Sequence, residues 1–264
     1  MQPILFETTY FTLYSYWIFL GISIIISFYI LTKLCVKNNL KTQFLSDNLI
    51  YLILFSFIGA RLLFVATNYD VYFRDLNSIW SILYIWDRGF HGWGAILSFF
   101  VTFYILAKRN EQNFYKWLDI LVPSIIIGIG ISSLGAFFDG INYGKETTLP
   151  WGVNFESFKI KYTVPIHPTQ IYSLIYCILI GSSLIIINQI SKLKEKKLEG
   201  LIGIHGILTF SIFKFLEEFL RGDDTWMIFN LRIGHILSFL TAVFTGIFLF
   251  YYYNKRKKNL TKHK

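Results

Sequence analysis

The sequence is poor in charge, cysteine and proline. Of its 264 residues only 16% are charged, and it contains 2 Cys and 5 Pro. A soluble domain of this length needs more polar surface, so the composition argues against an ordinary water-soluble protein. Cys35 and Cys177 lie in or at the end of apolar runs and lack the spacing of a disulfide framework or a metal site. The sequence also lacks a nucleotide-binding loop, so we expect no metal and no cofactor.

Lysine and arginine are missing from the first 32 residues. A cleavable signal peptide starts with a basic segment, so we expect the first apolar run to be an uncleaved anchor. The chain as a whole has a net charge of +9, and its basic residues gather in short segments between apolar runs. That distribution is typical of a membrane topology signal, and we expect no nucleic-acid partner.

Hydrophobic residues make up 54% of the chain and aromatic residues 19%. Apolar runs of about 17–25 residues are long enough to cross a bilayer as helices. We predict seven such spans, near 15–35, 47–67, 92–107, 117–138, 166–189, 200–220 and 233–254. The predicted fold class is all-α, a polytopic membrane bundle of about seven transmembrane helices with small extracytoplasmic loops. Because no repeat or linker is evident, we predict a single transmembrane domain over residues 1–264.

The loop charges predict the orientation of these spans. Basic residues concentrate in four segments, after the first, third, fifth and seventh spans, at Lys33, Lys37, Lys41, Lys108, Arg109, Lys116, Lys192, Lys194, Lys196, Lys197, Lys255, Arg256, Lys257 and Lys258. The intervening loops are close to neutral. Since basic loops stay in the cytoplasm, we predict an outside N-terminus and a cytoplasmic C-terminus.

Several charged residues lie at membrane depth, where they are costly and usually functional. Lys214, Glu218 and Arg221 share one face at the end of the sixth span. They could form the wall of a site or a self-neutralising stripe of ion pairs with snorkelling side chains. Arg61 follows Gly59-Ala60 in the second span and should point inward, toward a carboxylate or a lipid phosphate.

Two histidines stand at the outer ends of predicted spans. His91 lies between glycines, which leaves room for a substrate, and imidazole titrates near neutral pH as a general base requires. A single interfacial histidine can equally be structural. His167 and Gln170 face the same outer region, and Thr169 is a candidate cap for the fifth span.

An ordered set of motifs resembles the prolipoprotein diacylglyceryl transferase family. The matching segments, in order along the chain, are Gly59-Ala60-Arg61-Leu62, Phe90-His91-Gly92, Asn142-Tyr143-Gly144-Lys145, Leu149-Pro150-Trp151-Gly152-Val153, His167-Pro168-Thr169-Gln170-Ile171-Tyr172 and Glu218-Phe219-Leu220-Arg221. The resemblance implies a transferase of the bacterial cytoplasmic (inner) membrane. Its substrates would be phosphatidylglycerol and the lipobox cysteine thiol of prolipoprotein signal peptides, and glycerol phosphate would leave.

The resemblance also implies roles for single residues. The catalytic residues would be His91, Glu218 and Tyr16. The residues that bind substrate would be Arg61, Arg88, Gly144, Lys145, Lys214, Arg221, His167 and Gln170. We expect His91, Glu218, Arg61 and Tyr16 to surround one cavity in the outer half of the bilayer.

The sequence departs from the family pattern at five positions. Ser133, Ala136 and Ile141 stand where the family's signature has arginine, asparagine and glutamate, Lys214 replaces an arginine, and Trp93 replaces a glycine. Serine cannot replace a planar phosphate clamp, and lysine offers only a point charge. Two alternatives therefore stay open at this stage: a silent or acceptor-switched member that binds phospholipid, and a membrane transporter.

Overall fold

A computed structural model describes residues 4–7, 12–73, 80–84, 89–155, 160–193 and 199–262. Within them the chain is mainly helical, with two short hairpins. The strands are β1 (Ile4–Glu7), β2 (Thr12–Tyr14), β3 (Met227–Ile228) and β4 (Leu231–Arg232). The α-helices are α1 (Ser15–Lys37), α2 (Gln43–Thr67), α3 (Tyr69–Tyr72), α4 (Gly92–Arg109), α5 (Phe114–Asp139), α6 (Thr169–Leu193), α7 (Leu201–Leu220) and α8 (Ile233–Lys262), and a 3-10 turn covers Trp80–Leu83.

Five helices are long and apolar enough to cross a membrane. They cover Ser15–Lys37, Gln43–Thr67, Phe114–Asp139, Thr169–Ser191 and Ile233–Asn254. The predicted third and sixth spans are the helices α4 and α7, of 18 and 20 residues, which are not among these five. Three charged residues in the last two turns of α7 lower its apolar character. A multi-pass helical membrane protein is therefore confirmed, and the number seven stays a prediction.

The described residues fall into two compact units. The first consists of Met1–Leu34 and Tyr115–Lys264, and the second of Cys35–Phe114. The prediction of a single domain is not tested by this division.

Helix α5 is at the centre of the first unit. Small residues let its neighbours come close: a side chain at Gly128 would overlap Ser27, and one at Gly130 would overlap Cys177. Gly-mediated contacts of this kind are typical of packed membrane helices. Asp119 of α5 also accepts the backbone N–H of Gly200 at 2.7 Å and of Gly203 at 2.8 Å. This carboxylate therefore accepts hydrogen bonds from amides at the start of α7, where the N-cap residue is Gly200 and has no side chain that could do so.

The segment between α5 and α6 folds over a small core of its own. Isolated β-bridges join Gly144 to Arg221 and join both Glu146 and Val153 to Ile166. Beneath them, Tyr143, Phe155, Ile160 and Ile166 form a buried cluster. This segment, one of the loops predicted to be extracytoplasmic, thus has a defined backbone in its described part.

The second unit is built on the packing of α2 against α4. A side chain at Gly59 would overlap Ser98, and one at Gly94 would overlap the carbonyl of Gly59. Phe103 is fully buried there and makes an edge contact with Phe44 at 5.5 Å between ring centroids. The close approach of these two helices depends on the missing side chains.

Candidate functional site

Four charged side chains form a largely buried ion network where α7 ends and α8 begins. Arg221 donates to Glu218 at 3.1 Å and to both carboxylate oxygens of Asp223, at 2.9 and 2.5 Å. Arg232 donates to Glu218 at 2.9 Å and to Asp223 at 2.9 Å. Two carboxylates thus face two guanidinium groups, and the ion network (Glu218, Arg221, Asp223 and Arg232) is neutral as a whole.

The local fold explains how the two ends of the ion network meet. Glu218 lies in the last turn of α7, and the β3–β4 hairpin returns the chain to Arg232 directly before α8. The turn residues Phe229 and Asn230 have φ of 50° and 61°, the left-handed conformation that two-residue hairpin turns need. Gly234 follows, and any side chain there would overlap the carboxylate of Glu218.

Burial and charge act in opposite directions on Asp223. Burial raises the pKa of its carboxyl, but the adjacent Arg221 and Arg232 lower it more, so its pKa lies below the ordinary value. The side chain of Glu218 is only 3% exposed. Leaving such a carboxylate without its cations would be costly, so the ion network depends on all four members.

A second polar cluster lies one turn earlier on α7. Glu217 accepts hydrogen bonds from Lys214 at 2.6 Å, from Ser173 at 2.5 Å and from Tyr176 at 2.6 Å. Lys214 is 3.8 Å from Glu218. The predicted ion-pair stripe on α7 is therefore present, but Lys214 pairs mainly with Glu217, a residue not singled out from the sequence.

Backbone hydrogen bonds hold the segment between α5 and α6 (residues 140–168, called the outer segment after its predicted side of the membrane) against the ion network. The amide of Lys145 donates to the carbonyl of Leu220 at 2.7 Å, and that of Gly144 donates to the carbonyl of His167 at 3.1 Å. The side-chain oxygen of Asn142 accepts from Arg221 at 2.8 Å. A Cβ at position 144 would overlap the carbonyl of His167, which explains the glycine. The side chain of Lys145 is exposed.

His167 and Gln170 flank the start of α6. Nδ1 of His167 lies 3.2 Å from the hydroxyl of Tyr172, which also accepts from Trp151 at 2.7 Å. Desolvation lowers the pKa of His167 below its usual value and so favours the neutral imidazole near pH 7. Gln170 is buried and donates to the carbonyl of Ile141 at 2.7 Å. The Thr169 hydroxyl donates to the Asn142 carbonyl at 2.6 Å, rather than accepting from an amide of its own helix.

In the second unit, Arg61 is buried and organises the outer loop of that unit. Within the described residues its guanidinium donates to at least four backbone carbonyls, and it lies 5.3 Å from the ring centroid of Tyr72. The four acceptors are Ile82 at 3.0 Å, Gly89 at 3.1 Å, Ser81 at 2.9 Å and Tyr84 at 3.2 Å. These contacts are structural, and a role of Arg61 in substrate binding stays a prediction.

His91 occupies the N-cap position of α4 in the second unit. Its amide donates to the carbonyl of Ala60 at 3.0 Å, and its own carbonyl accepts from Ala95 at 3.2 Å. The backbone of His91 is therefore fixed beside Ala60, the residue that precedes Arg61. This backbone contact holds His91 at the start of α4, and a role of its imidazole in the reaction stays a prediction.

Tyr16 lies in the first turn of α1, where α1 passes Gly135 of α5. It is near enough to Asp139 to interact with its charge. Arg88 lies outside the described residues. The three positions that depart from the family signature, Ser133, Ala136 and Ile141, lie on and just after α5. The Ser133 hydroxyl donates to the backbone carbonyl of Ile129 at 2.9 Å, and the Ile141 amide donates to the backbone carbonyl of Ala136 at 3.0 Å.

The structure thus brings together most of the predicted residues of the first unit. Those joined directly or through shared partners are Gly144, Lys145, His167, Lys214, Glu218 and Arg221. His91 and Arg61 lie in the second unit, so a common cavity with Glu218 and Tyr16 stays a prediction. Sequence reasoning missed Asp223, Arg232 and Glu217. One signal was available in the sequence: all three are charged residues at the ends of the sixth and seventh apolar runs, where a charge needs a partner of opposite sign.

Comparison with known sequences identifies the family. The sequence model described as prolipoprotein diacylglyceryl transferase matches residues 3–252. The chain belongs to this family. The resemblance inferred from the ordered motifs is therefore confirmed, and neither alternative is favoured.

Several curated relatives of the family match over most of their length. A phosphatidylglycerol–prolipoprotein diacylglyceryl transferase of Finegoldia magna is 27% identical over 241 residues, which are 91% of this chain and 91% of the relative. One of Clostridium tetani is 28% identical over 95% of this chain and 97% of the relative. One of Prochlorococcus marinus strain NATL1A is 30% identical over 84% of this chain and 78% of the relative.

Proposed function

We propose that this protein transfers a diacylglyceryl group from phosphatidylglycerol to the lipobox cysteine thiol of a prolipoprotein. The observation that carries this proposal is the family match over residues 3–252, together with the transferases that cover nearly the whole chain. A buried ion network on a helix end, in a family motif, supports a built site rather than scattered surface charges.

The transfer is a substitution at carbon. The thiolate sulfur attacks the glyceryl carbon that carries the phosphate, a C–S bond forms and the C–O bond breaks. Glycerol phosphate leaves with the bonding electrons, and the thiol proton passes to a base. We assign that base to His91, because a neutral imidazole suits proton abstraction near pH 7 and because the family motif places it there.

The cations in and beside the ion network differ in whether a carboxylate already pairs with them. Arg221 and Arg232 are committed to Glu218 and Asp223, so they hold the geometry of the outer ends of α7 and α8. Lys145 is exposed on the segment bound to Leu220. We assign Lys145 to the phosphate of the lipid, and Glu218 to positioning Arg221 and Arg232. Lys214 is assigned to the same phosphate although it is paired with Glu217, because its side chain is still partly exposed.

The membrane arrangement completes the proposal. Seven spans, with α4 and α7 crossing in addition to the five membrane-capable helices, put all four basic segments in the cytoplasm. In that orientation the ion network lies toward the extracytoplasmic side of a bacterial cytoplasmic membrane. The signal peptide of a prolipoprotein would reach it there after export.

The decisive experiment measures transfer of radiolabelled diacylglycerol from phosphatidylglycerol to a lipobox peptide by the purified full-length protein. We expect transfer by the wild type and its loss, by about 100-fold or more, in His91→Ala, since a general base contributes about that much. His205→Ala is the matched control, because His205 bonds the Leu201 carbonyl of its own helix.

Two results would contradict the proposal. A wild-type protein that is folded but transfers nothing would argue for a silent or acceptor-switched member. Equal activity of His91→Ala and wild type would remove His91 from the reaction while leaving the transferase activity established.

A further inference from the structure

His235, in the first turn of α8, is a buried polar side chain with no hydrogen-bond partner in the part of the chain that the structure describes. It is 6% exposed, and among the described residues neither Nδ1 nor Nε2 has a hydrogen bond. His167 and His205, by contrast, each bond through Nδ1 to a protein oxygen. An unsatisfied buried imidazole costs stability, so its presence calls for a partner that the described part of the chain does not supply.

The ring of His235 is held in a fixed orientation. Its centroid lies 4.4 Å from that of Phe219 and 5.6 Å from that of Phe215, both as edge contacts from one face of α7. The residue is therefore positioned by aromatic packing, which leaves its nitrogens available. If His235 served only for packing, phenylalanine could replace it without loss of activity.

The charged groups around His235 come from three elements. Glu218 acts on it from α7, Arg232 from β4 on its own side, and Lys145 from the outer segment between α5 and α6. Glu218 and Arg232 neutralise each other in the ion network, so the charge left over is that of Lys145. The surroundings therefore favour an anionic group that can also accept a hydrogen bond.

We propose that His235 donates a ring N–H to a phosphoryl oxygen of the lipid substrate. This inference rests on the proposed function and adds a residue to its site. A phosphoryl group has several acceptor oxygens, and a neutral imidazole has one donor. This hydrogen bond from His235 adds no positive charge to the site, but it orients the phosphate whose ester bond breaks. The same hydrogen bond remains in place as negative charge grows on the leaving glycerol phosphate.

The test uses two substitutions with opposite chemistry. His235→Phe keeps the aromatic packing and removes both nitrogens, while His235→Gln keeps a hydrogen-bond donor. We expect His235→Phe to lower kcat/KM for phosphatidylglycerol by about tenfold or more, and His235→Gln to stay within about threefold of wild type. His205→Phe is the matched control and should leave kinetics unchanged.

A second readout separates this role from a structural one. Inhibition by added glycerol phosphate should weaken in His235→Phe by a factor similar to the loss of kcat/KM, and inorganic phosphate shows whether the glycerol part matters. The Tm of His235→Phe without lipid should equal or exceed that of wild type, because the substitution removes unsatisfied buried atoms.

Several outcomes would overturn the inference. They are a His235→Phe protein with wild-type kinetics, one with unchanged inhibition by glycerol phosphate, or one whose lost activity follows a lowered Tm. Thermal stabilisation by phosphatidylglycerol relative to phosphatidylcholine tests the same contact without turnover. If wild-type protein is stabilised but inactive and His235→Phe is not stabilised, the proposed function fails and the binding role of His235 stands.

Discussion

Two neighbouring aspartates, Asp223 and Asp224, have the same side chain and very different environments. The carboxylate of Asp223 is 16% exposed and contacts two arginines, whereas that of Asp224 is 89% exposed and contacts Lys161 at 2.8 Å. Exposed pairs contribute little to stability, and breaking a buried pair leaves an unbalanced charge. The position within the fold, and not the residue type, decides what each contributes.

We predict that Asp223→Asn lowers the free energy of unfolding by about 2 kcal/mol or more, because Arg221 and Arg232 would share a single carboxylate. Asp224→Asn should change it by less than about 0.5 kcal/mol. Denaturation of both purified variants in detergent measures the difference. Equal stability of the two would show that the ion network is not a structural element.

The lowered pKa of Asp223 leads us to predict that the stability it contributes depends on pH. Because the pKa of Asp223 in the folded protein lies below its unfolded value, its stabilising effect is present above about pH 4 and is lost as pH falls through the folded-state pKa. The gap in Tm between wild type and Asp223→Asn should therefore be constant near neutral pH and narrow below about pH 4. A gap that widens on acidification would contradict the assigned direction.

At the scale of elements, the segment before α6 shows how a single glycine joins two parts of the site. Gly144 touches the carbonyl of His167, and its neighbours bond to Arg221 and Leu220. We predict that Gly144→Ala reduces transfer at least tenfold and lowers stability by about 1–3 kcal/mol, because backbone must move to admit the methyl group.

The matched control for that substitution is Gly246→Ala, since a Cβ there meets nothing within 4 Å. In mid-helix this change should stabilise slightly, by about 0.5–1 kcal/mol, with unchanged transfer. Transfer rates and Tm of both variants give the comparison. A Gly144→Ala protein with wild-type transfer would show that the outer segment does not position the site.

Helix boundaries show what hydropathy can and cannot predict. The predicted spans near 117–138 and 200–220 lie within about three residues of α5 and α7 at each end. The fifth was expected from 166, but α6 starts at Thr169 because Ile166 pairs with Val153 and the carbonyl of Pro168 accepts the first helical amides. An apolar residue in a bridge cannot be told from one in a helix by its hydropathy.

The ion network could be predicted only in part for a related reason. Glu218 and Arg221 stand three apart on a helix end, so their pairing follows from helical spacing. Arg232 meets Glu218 only because a two-residue turn at Phe229 and Asn230 reverses the chain. Neither turn residue is glycine, so the sequence signal for that hairpin is weak.

At the scale of the whole molecule, the orientation can be tested with the two native cysteines in place. Cys35 and Cys177 are both fully buried and should react little with a polar maleimide. We predict that Thr148→Cys is labelled in intact cells and that Asn110→Cys is labelled only after permeabilisation, because the proposed orientation puts the segment between α5 and α6 outside and the turn after α4 in the cytoplasm.

Both test positions are exposed in the structure, so accessibility by itself does not separate them. Labelling of Asn110→Cys from outside would invert the topology and place the proposed site on the cytoplasmic side. A prolipoprotein signal peptide could then reach it only before export, which would contradict the proposed order of events.

The ion network also affects how the protein enters its membrane. Glu218 finds Arg221 three residues later and Arg232 fourteen residues later. Both counter-charges of Glu218 thus precede the start of α8, and a nascent chain that has emerged as far as Arg232 already carries the cations that neutralise Glu218 and Asp223. A ribosome stalled before Arg232 would instead present the translocon with a carboxylate only partly balanced.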